Sequence, residues 1–272
     1  MRKLQVPAGR LSVLYMPDDE PETEFNLQAL YTKLTGLHEK PQVFPLPDDS
    51  RRGLIGYTDI LSPELVCAAY LQGVFPWFEE DRDEPVLWWS PDPRFVLPAA
   101  ELHVSTSLER FIRHTPYTYT MDTDFPAVMN GCACVKRAGQ HGTWIGRRMF
   151  DVYCMLAERG IAHSVEVWHN GMLSGGLYGL LIGTVFFGES MFTVEDNSAK
   201  SAFVLFVRSF VQAGGMLIDS QVYTDNLARY GARNISRSAF LRLEHDYLPQ
   251  ELKTPLNISF AAACASVQEK SI

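Results

Sequence analysis

Four polar residues stand where buried apolar ones are expected. Glu189 and Ser190 interrupt the strand-like run FFGESMF, and Asp219 and Gln221 interrupt LIDSQV. A carboxylate removed from water is costly unless it is paired or used, and such groups concentrate where chemistry is done. If LIDSQV is a strand over Leu217–Val222, Asp219 and Gln221 project from one face, while Ile218 and Ser220 face the other way. Gly188, just ahead of Glu189, allows close approach of another backbone or a ligand. The pattern fits a reaction site built on two carboxylates and an amide. It fits equally polar groups that only hydrogen-bond each other at the ends of a sheet.

The helix expected between these strands carries Phe203, Phe206 and Phe210 at i, i+3, i+7, a stripe that either packs a core or walls an apolar pocket. Trp77, Trp88, Trp89 and Trp144 lie in turn-like contexts bounded by Pro or Gly. Buried, they are core; exposed, they can stack on an unpaired base for roughly 1–3 kcal/mol each. Arg110 and Arg113 share a helix face, with Lys136, Arg137, Arg147 and Arg148 near in sequence, either as a cationic patch or as a solvated face.

The elements that must position these groups follow from capping and periodicity. A short helix is expected around Phe25–Leu37. Ser62 as N-cap, Pro63 in the first turn and Gly73 as stop frame another, before Pro76, Pro91 and Pro93 restrict the chain to short extended pieces. From about residue 100 the rhythm becomes α/β. Helices are expected at Ser105–His114, Phe125–Cys134, Arg147–Arg159 and Ser198–Ala213, the last stopped by Gly214-Gly215. Strands at Ala162–Trp168 and Met172–Tyr178 flank His169-Asn170-Gly171, the best short hairpin signal, and a third at Thr184–Met191 completes a meander. A final helix is expected near Ser238–His245.

Bulk properties narrow the function classes. The chain has 272 residues, 46% hydrophobic and 21% charged, with no apolar run long enough to span a membrane and no signal-like N-terminal block. It is expected to be cytoplasmic. Cys67, Cys132, Cys134, Cys154 and Cys264 form no C-x-x-C pair, which fits free thiols, and the histidines show no H-x-x-x-H spacing, so no metal site is expected. A net charge of −8 argues against broad nucleic-acid binding but leaves room for a local basic patch and suits a cationic substrate.

Together the motifs resemble one family, the leucyl/phenylalanyl-tRNA–protein transferases. The matching strings are AYLQGVFPWF (Ala69–Phe78), LWWSPDPR (Leu87–Arg94), GTWI (Gly142–Ile145) and AHSVEVW (Ala162–Trp168). GGLYG (Gly175–Gly179), FFGESMF (Phe186–Phe192) and IDSQV (Ile218–Val222) follow in order, over about residues 54–245. The resemblance implies an α+β protein: a small N-terminal α+β domain, residues 1–95, including a divergent arm of about 40 residues. A larger acetyltransferase-like (GNAT-type) domain, residues 96–272, follows, with a mixed, mostly antiparallel sheet. It implies transfer of Leu or Phe, and also Met, from aminoacyl-tRNA to acceptor proteins beginning with Arg or Lys, marking them for degradation under the N-end rule, with no cofactor needed. A monomer is the default expectation. No R/Q-x-x-G-x-G/A loop for coenzyme A is present.

By the same resemblance, Asp219 acts with Gln221 as a relay that helps deprotonate the incoming amine, and Glu189 binds the aminoacyl end or orients its amino group. Leu177, Phe186, Phe203, Phe206, Phe210 and Ile218 line the amino-acid side-chain pocket. Trp77 and Trp144 hold the terminal adenosine together with Tyr70 and Tyr153, and Arg110 and Arg113 contact tRNA. The chain also departs from the pattern: Thr58-Asp59-Ile60-Leu61-Ser62-Pro63 replaces the usual GGDLSP, Asn197-Ser198-Ala199-Lys200 the usual NASK, and Asn226 a usual histidine. Thr106 and Glu109 stand where the family's basic helix usually carries cations. These changes spare the reacting groups and bear on tRNA grip and acceptor choice. Two alternatives therefore stay open: an aminoacyl-tRNA-dependent transferase with another amine acceptor, and a non-catalytic aminoacyl-tRNA-binding protein.

Overall fold

The structure is a computed structural model describing residues 26–45, 53–79, 85–134 and 145–268. The N-terminal part holds helix α1 (Leu27–Thr35), capped by Asn26, and helix α2 (Pro63–Tyr70), whose N-cap Ser62 accepts from the Leu65 N–H. Beside them lies a three-stranded antiparallel sheet in the order β1 (Leu54–Thr58), β3 (Val86–Trp89), β2 (Phe75–Pro76). Proline confines β2 to two residues at the sheet edge.

A seven-stranded sheet begins after a four-residue link from β3. Its strands are β4 (Arg94–Pro98), β5 (Thr118–Met121), β6 (Ala162–His169), β7 (Met172–Ile182), β8 (Val185–Thr193), β9 (Leu217–Asp219) and β10 (Arg233–Ile235). Their spatial order is β10-β4-β9-β8-β7-β6-β5, antiparallel throughout except for the parallel pair β8–β9. A parallel pair needs a long crossover, and helix α6 (Ser198–Ala213) supplies it, closing at Gly214 in the left-handed region (φ 99°). The protein is thus α+β with a mixed, mostly antiparallel sheet, as expected.

Alternation along the strands feeds two cores, one on each face of the large sheet. Tyr178, Leu180, Phe187 and Leu217 join α2, helix α4 (Phe125–Ala133) and helix α5 (Arg147–Glu158) on one face. Leu177, Phe186 and Ile218 join Phe203, Phe206 and Phe210 of α6 on the other, with helix α9 (Leu256–Gln268) packed outside α6. Helix α3 (Thr106–Arg113), the short helix α7 (Asp225–Ala228) and helix α8 (Arg237–Tyr247) complete the described elements. Three expectations need correction. The strand expected over Leu217–Val222 ends at Asp219. β1, β5 and β10 are additional strands, and α9 is an additional helix beyond the one read as last.

Candidate active site

The ladder between β8 and β9 stops at Phe187 and Asp219, although β8 continues to Thr193. Where the two chains part, a cavity of about 390 Å³ opens, a size that suits a small-molecule group. Leu177, Phe186, Phe203 and Ile218, four of the six residues expected around the side-chain pocket, form its apolar wall. Phe206 and Phe210 do not reach it. Phe206 packs against Phe186 with ring centroids 4.3 Å apart, and Phe206 and Phe210 stack at 5.9 Å, so they back the wall. On a helix only one end of an i, i+3, i+7 stripe can meet a cavity this small; the rest is core.

Glu189 reaches the cavity through a fault in the sheet. Tyr178 pairs with Ser190 but Gly179 pairs with Gly188, leaving Glu189 as the extra residue of a β-bulge. Gly179 makes this possible, because a Cβ there would sit 2.2 Å from the Phe187 carbonyl oxygen. The Tyr70 hydroxyl donates to the Glu189 carboxylate, and Tyr153, 3.4 Å from Tyr70 between hydroxyl oxygens, bonds to it as well. Burial pushes the Glu189 pKa up to about 7; the two phenols restrain the rise, nearby Asp219 adds to it, and Arg94 opposes it. Tyr70 and Tyr153 are fully buried and line no part of the cavity, so their expected place against the terminal adenosine is corrected: they hold Glu189.

Asp219 sits in a different environment. Arg94 grips it in a two-pronged pair, Nε to Oδ1 at 2.9 Å and Nη2 to Oδ2 at 2.6 Å, with both side chains wholly buried. The guanidinium lies over the rings of Phe75 and Phe240, 4.9 and 4.3 Å from their centroids, and donates from Nη1 to the Gly73 carbonyl. Burial works against its charge, but Asp219 outweighs that and raises its pKa. Glu244, also enclosed, has an Oε1 without a hydrogen-bond partner among the described residues, and burial pushes its carboxyl far above the usual range. Asp219 therefore balances a buried cation beside a second carboxyl whose ionisation burial opposes.

The shared face expected for Asp219 and Gln221 is not found. Gln221 lies beyond the strand at φ 56°, a left-handed conformation uncommon for a non-glycine residue. Its backbone N–H donates to Asp219 Oδ1 at 3.0 Å, an aspartate turn that stabilises this conformation. The side chains consequently diverge. Gln221 lines the cavity and Asp219 does not, and the buried Gln221 Nε2 has no partner among the described residues. An unpartnered amide donor of this kind can serve a carbonyl oxygen that gains charge.

Trp77 stands at the mouth, 40% exposed, and Trp89 braces it by donating its indole N–H to the Trp77 carbonyl. Trp144, with Lys136 and Arg137, lies outside the described residues. Arg110 and Arg113 occupy the exposed last turn of α3 and take no part in the cavity. Sequence reasoning passed over Arg94, whose signal was a cation inside the otherwise apolar strand RFVLP. Asn226, noted in the sequence only as standing in place of a usual histidine, lines the cavity and donates to Met191 Sδ at 3.2 Å.

Comparison with known proteins gives this geometry a context. The sequence model of the family described as "Leucyl/phenylalanyl-tRNA protein transferase" matches residues 96–245, and that of the corresponding N-terminal domain matches residues 59–92. The chain is 50% identical over 208 residues to the leucyl/phenylalanyl-tRNA–protein transferase of Pseudomonas putida (strain W619), covering 76% of this chain and 89% of that protein. A relative of the same name from Yersinia pestis (strain Pestoides F) is 43% identical over 238 residues, covering 85% and 99%. Among solved structures, that of L-PGS from Bacillus licheniformis overlaps 65% of each chain at 10% identity with a TM-score of 0.35, too low to carry an argument.

Proposed function

Because the chain belongs to the leucyl/phenylalanyl-tRNA–protein transferase family, we propose that it moves Leu or Phe, and also Met, from aminoacyl-tRNA to the α-amino group of proteins beginning with Arg or Lys. The product is an N-end-rule signal for degradation. The observation that carries the assignment of roles is the coexistence, on one apolar cavity, of Glu189 with a pKa near 7 and the unpartnered amide of Gln221.

The chemistry is aminolysis of an activated ester. An α-amine has a pKa of about 7.7–8.0, so a base near 7 suffices to take its proton as the new bond forms. Glu189 is that base. The amine nitrogen bonds to the ester carbonyl carbon, and the tetrahedral oxyanion is met by Gln221. The C–O bond to the terminal ribose then breaks, with Glu189 returning its proton to the ribose oxygen. Asp219 is a positioning residue, since Arg94 occupies its carboxylate and its link to Gln221 is through the backbone. This replaces the relay implied by the resemblance.

The side chain of the transferred residue fills the space between Leu177, Phe186, Phe203 and Ile218, a slot that suits unbranched Cβ atoms and penalises Ile and Val by the ~1–3 kcal/mol that shape can supply. Trp77, with Trp144, stacks on the terminal adenosine, and Arg110 and Arg113 contact the tRNA body. A cytoplasmic monomer needing no cofactor, divided near residue 95 into a small N-terminal domain and an acetyltransferase-like (GNAT-type) domain, completes the reading. Among the described residues no helix is long and apolar enough to cross a membrane.

The test is transfer of labelled Leu or Phe from charged tRNA to peptides beginning with Arg, Lys or Ala. Labelling of the Arg and Lys peptides alone is the expected result. Equal labelling of all three would point to another acceptor class, and tRNA binding without transfer would remove the enzymatic reading.

A further inference from the structure

A second cavity, about 340 Å³, shares Asn226 with the reaction cavity. It is lined by two cations, Lys200 from the first turn of α6 and Arg229 just after α7, together with His103 and the hydroxyls of Ser105 and Ser107 at the start of α3. Among the described residues no carboxylate lines it, although Asp and Glu outnumber Lys and Arg by 32 to 24 in the chain. Tyr230 forms part of its wall. This side chain is only 5% exposed. On its other side the Tyr230 ring packs against Phe203, centroids 4.9 Å apart, and Phe203 is a wall of the reaction cavity.

We infer that this cavity is an anion site that takes a backbone phosphate of the aminoacyl-tRNA donor. The inference rests on the transferase reading given above. Lys200 and Arg229 supply the charge, and the phenol of Tyr230 in the wall can add a neutral donor. Asn226 and the Phe203–Tyr230 contact make the two cavities neighbours, so a donor whose acyl end lies against Phe203 runs past the second cavity. In an acidic protein a phosphate can be held only where cations are concentrated and carboxylates absent. The site also lies at the N-terminal end of α3, the helix whose Thr106 and Glu109 stand where cations are usual, so it provides grip that the helix itself lacks.

The experiment compares two phenylalanyl donors, full Phe-tRNA and the 3′-phenylalanyl ester of adenosine, which has no phosphate. Both are assayed with one Arg-initiated peptide for the wild type and for Arg229→Gln, Lys200→Gln and the double variant. Lys200 and Arg229 are exposed, so these variants fold. For Phe-tRNA we expect KM to rise by about 5–10-fold in the double variant with kcat unchanged, and the slope of log KM against log salt to fall by about 0.7 per lost phosphate contact. With the nucleoside ester KM stays at the wild-type value. Tyr230→Phe gives a smaller rise, about twofold, confined to Phe-tRNA. Inorganic phosphate in the millimolar range competes with Phe-tRNA in the wild type and not with the ester.

An unchanged KM for Phe-tRNA, or an equal rise with both donors, overturns the site while leaving the transferase reading intact. So does a rise in the KM for the Arg-initiated peptide with the donor KM unchanged, which would assign the cations to the acceptor. So, too, does tight phosphate binding that leaves the donor KM untouched, which would make it a free-anion site. A wild type inactive with both donors removes the transferase reading and the site with it.

Discussion

Two buried carboxylates stand on neighbouring strands, one at a strand's end and one in a mid-strand bulge, and they are built for opposite tasks. Asp219, at the end of β9, meets a wholly buried Arg94 in a two-pronged pair, and its remaining capacity is taken by the Gln221 N–H. Glu189, in the bulge of β8, meets only phenols, and burial lifts it to about 7. A carboxylate gripped on both oxygens by a buried guanidinium has its lone pairs committed to that partner and acts as structure. One matched by neutral donors stays close to balance between its two forms, the condition a general base requires near neutral pH. Proximity to substrate follows the same division, since Glu189 lines the cavity and Asp219 does not.

The comparison breaks most visibly in the rate. Glu189→Gln keeps shape and hydrogen bonding but cannot take a proton, and kcat is expected to fall by about 10²–10⁴-fold. Below pH 7 the wild-type kcat/KM loses activity through protonation of both the amine and Glu189, so its logarithm falls with a limiting slope of two. In Glu189→Gln only the amine limb remains and the slope is one. Identical slopes in the two proteins would remove Glu189 as the base.

The next largest effect is expected in stability, on the other carboxylate. Asp219→Asn leaves the Arg94 guanidinium buried without its counter-charge, and removing one partner of such a pair costs about 3–5 kcal/mol. Chemical denaturation should show that loss, with turnover of the remaining folded protein lowered through a misplaced Gln221. Glu189 is expected to behave with the opposite sign. Its folded pKa lies above the unfolded value, so the folded state holds more protons between about pH 4.5 and 7 and stability falls as pH rises through that window. Glu189→Gln removes this fall and should gain stability relative to the wild type at pH 8 compared with pH 5. A Glu189 variant that loses as much stability as Asp219→Asn would erase the distinction.

The sequence reveals the scaffold of this site better than its working ends. Ser62, Ser105, Asn170-Gly171 and Gly214 act locally, and the elements they bound lie where capping and turn chemistry put them. The apolar wall was half legible, because a phenylalanine stripe states that a helix face is buried without saying how far the cavity extends along it. Three features resist a local reading. Arg94 and Asp219 are partners across 125 residues, so neither explains the other in a sequence window. Gln221 adopts a left-handed conformation that only the Asp219 carboxylate makes favourable. The bulge at Glu189 depends on how β8 pairs with β7, so a strict period of two places the following residues on the wrong face. The short strands β5 and β10 and the alanine-rich α9 have the same cause: pairing and docking decide them, not their own residues.

Gln221 tests whether Asp219 acts through it. Gln221→Ala removes the unpartnered Nε2 while keeping the backbone N–H that binds Asp219, so stability should change little. The loss of one donor to the oxyanion is expected to lower kcat by about 10²–10³-fold, with the Phe-tRNA KM near its wild-type value. A rise in KM with kcat preserved would instead make Gln221 a binding residue and detach the Asp219 turn from the reacting carbonyl.

The finest distinction lies in the phenols. Tyr70 donates to the Glu189 carboxylate and so favours its ionised form, against the burial that raises its pKa. Tyr70→Phe keeps the ring, which packs edge-on against Phe187 at 4.8 Å, and removes only the donor. A hydrogen bond to a charged acceptor is worth about 1.5–3 kcal/mol, and one pH unit corresponds to about 1.4 kcal/mol, so the acid limb assigned to Glu189 should move up by about one pH unit or more. The plateau rate at high pH should change much less, because once Glu189 is ionised the base is intact. Asp219 offers the contrast, since its partner is the full charge of Arg94, while the Tyr70 hydroxyl donates to Glu189. Tyr70→Phe should therefore shift the pH–rate profile without the large loss of stability expected of Asp219→Asn, and a fall in plateau rate with an unmoved limb would show that Tyr70 serves the fold rather than the base.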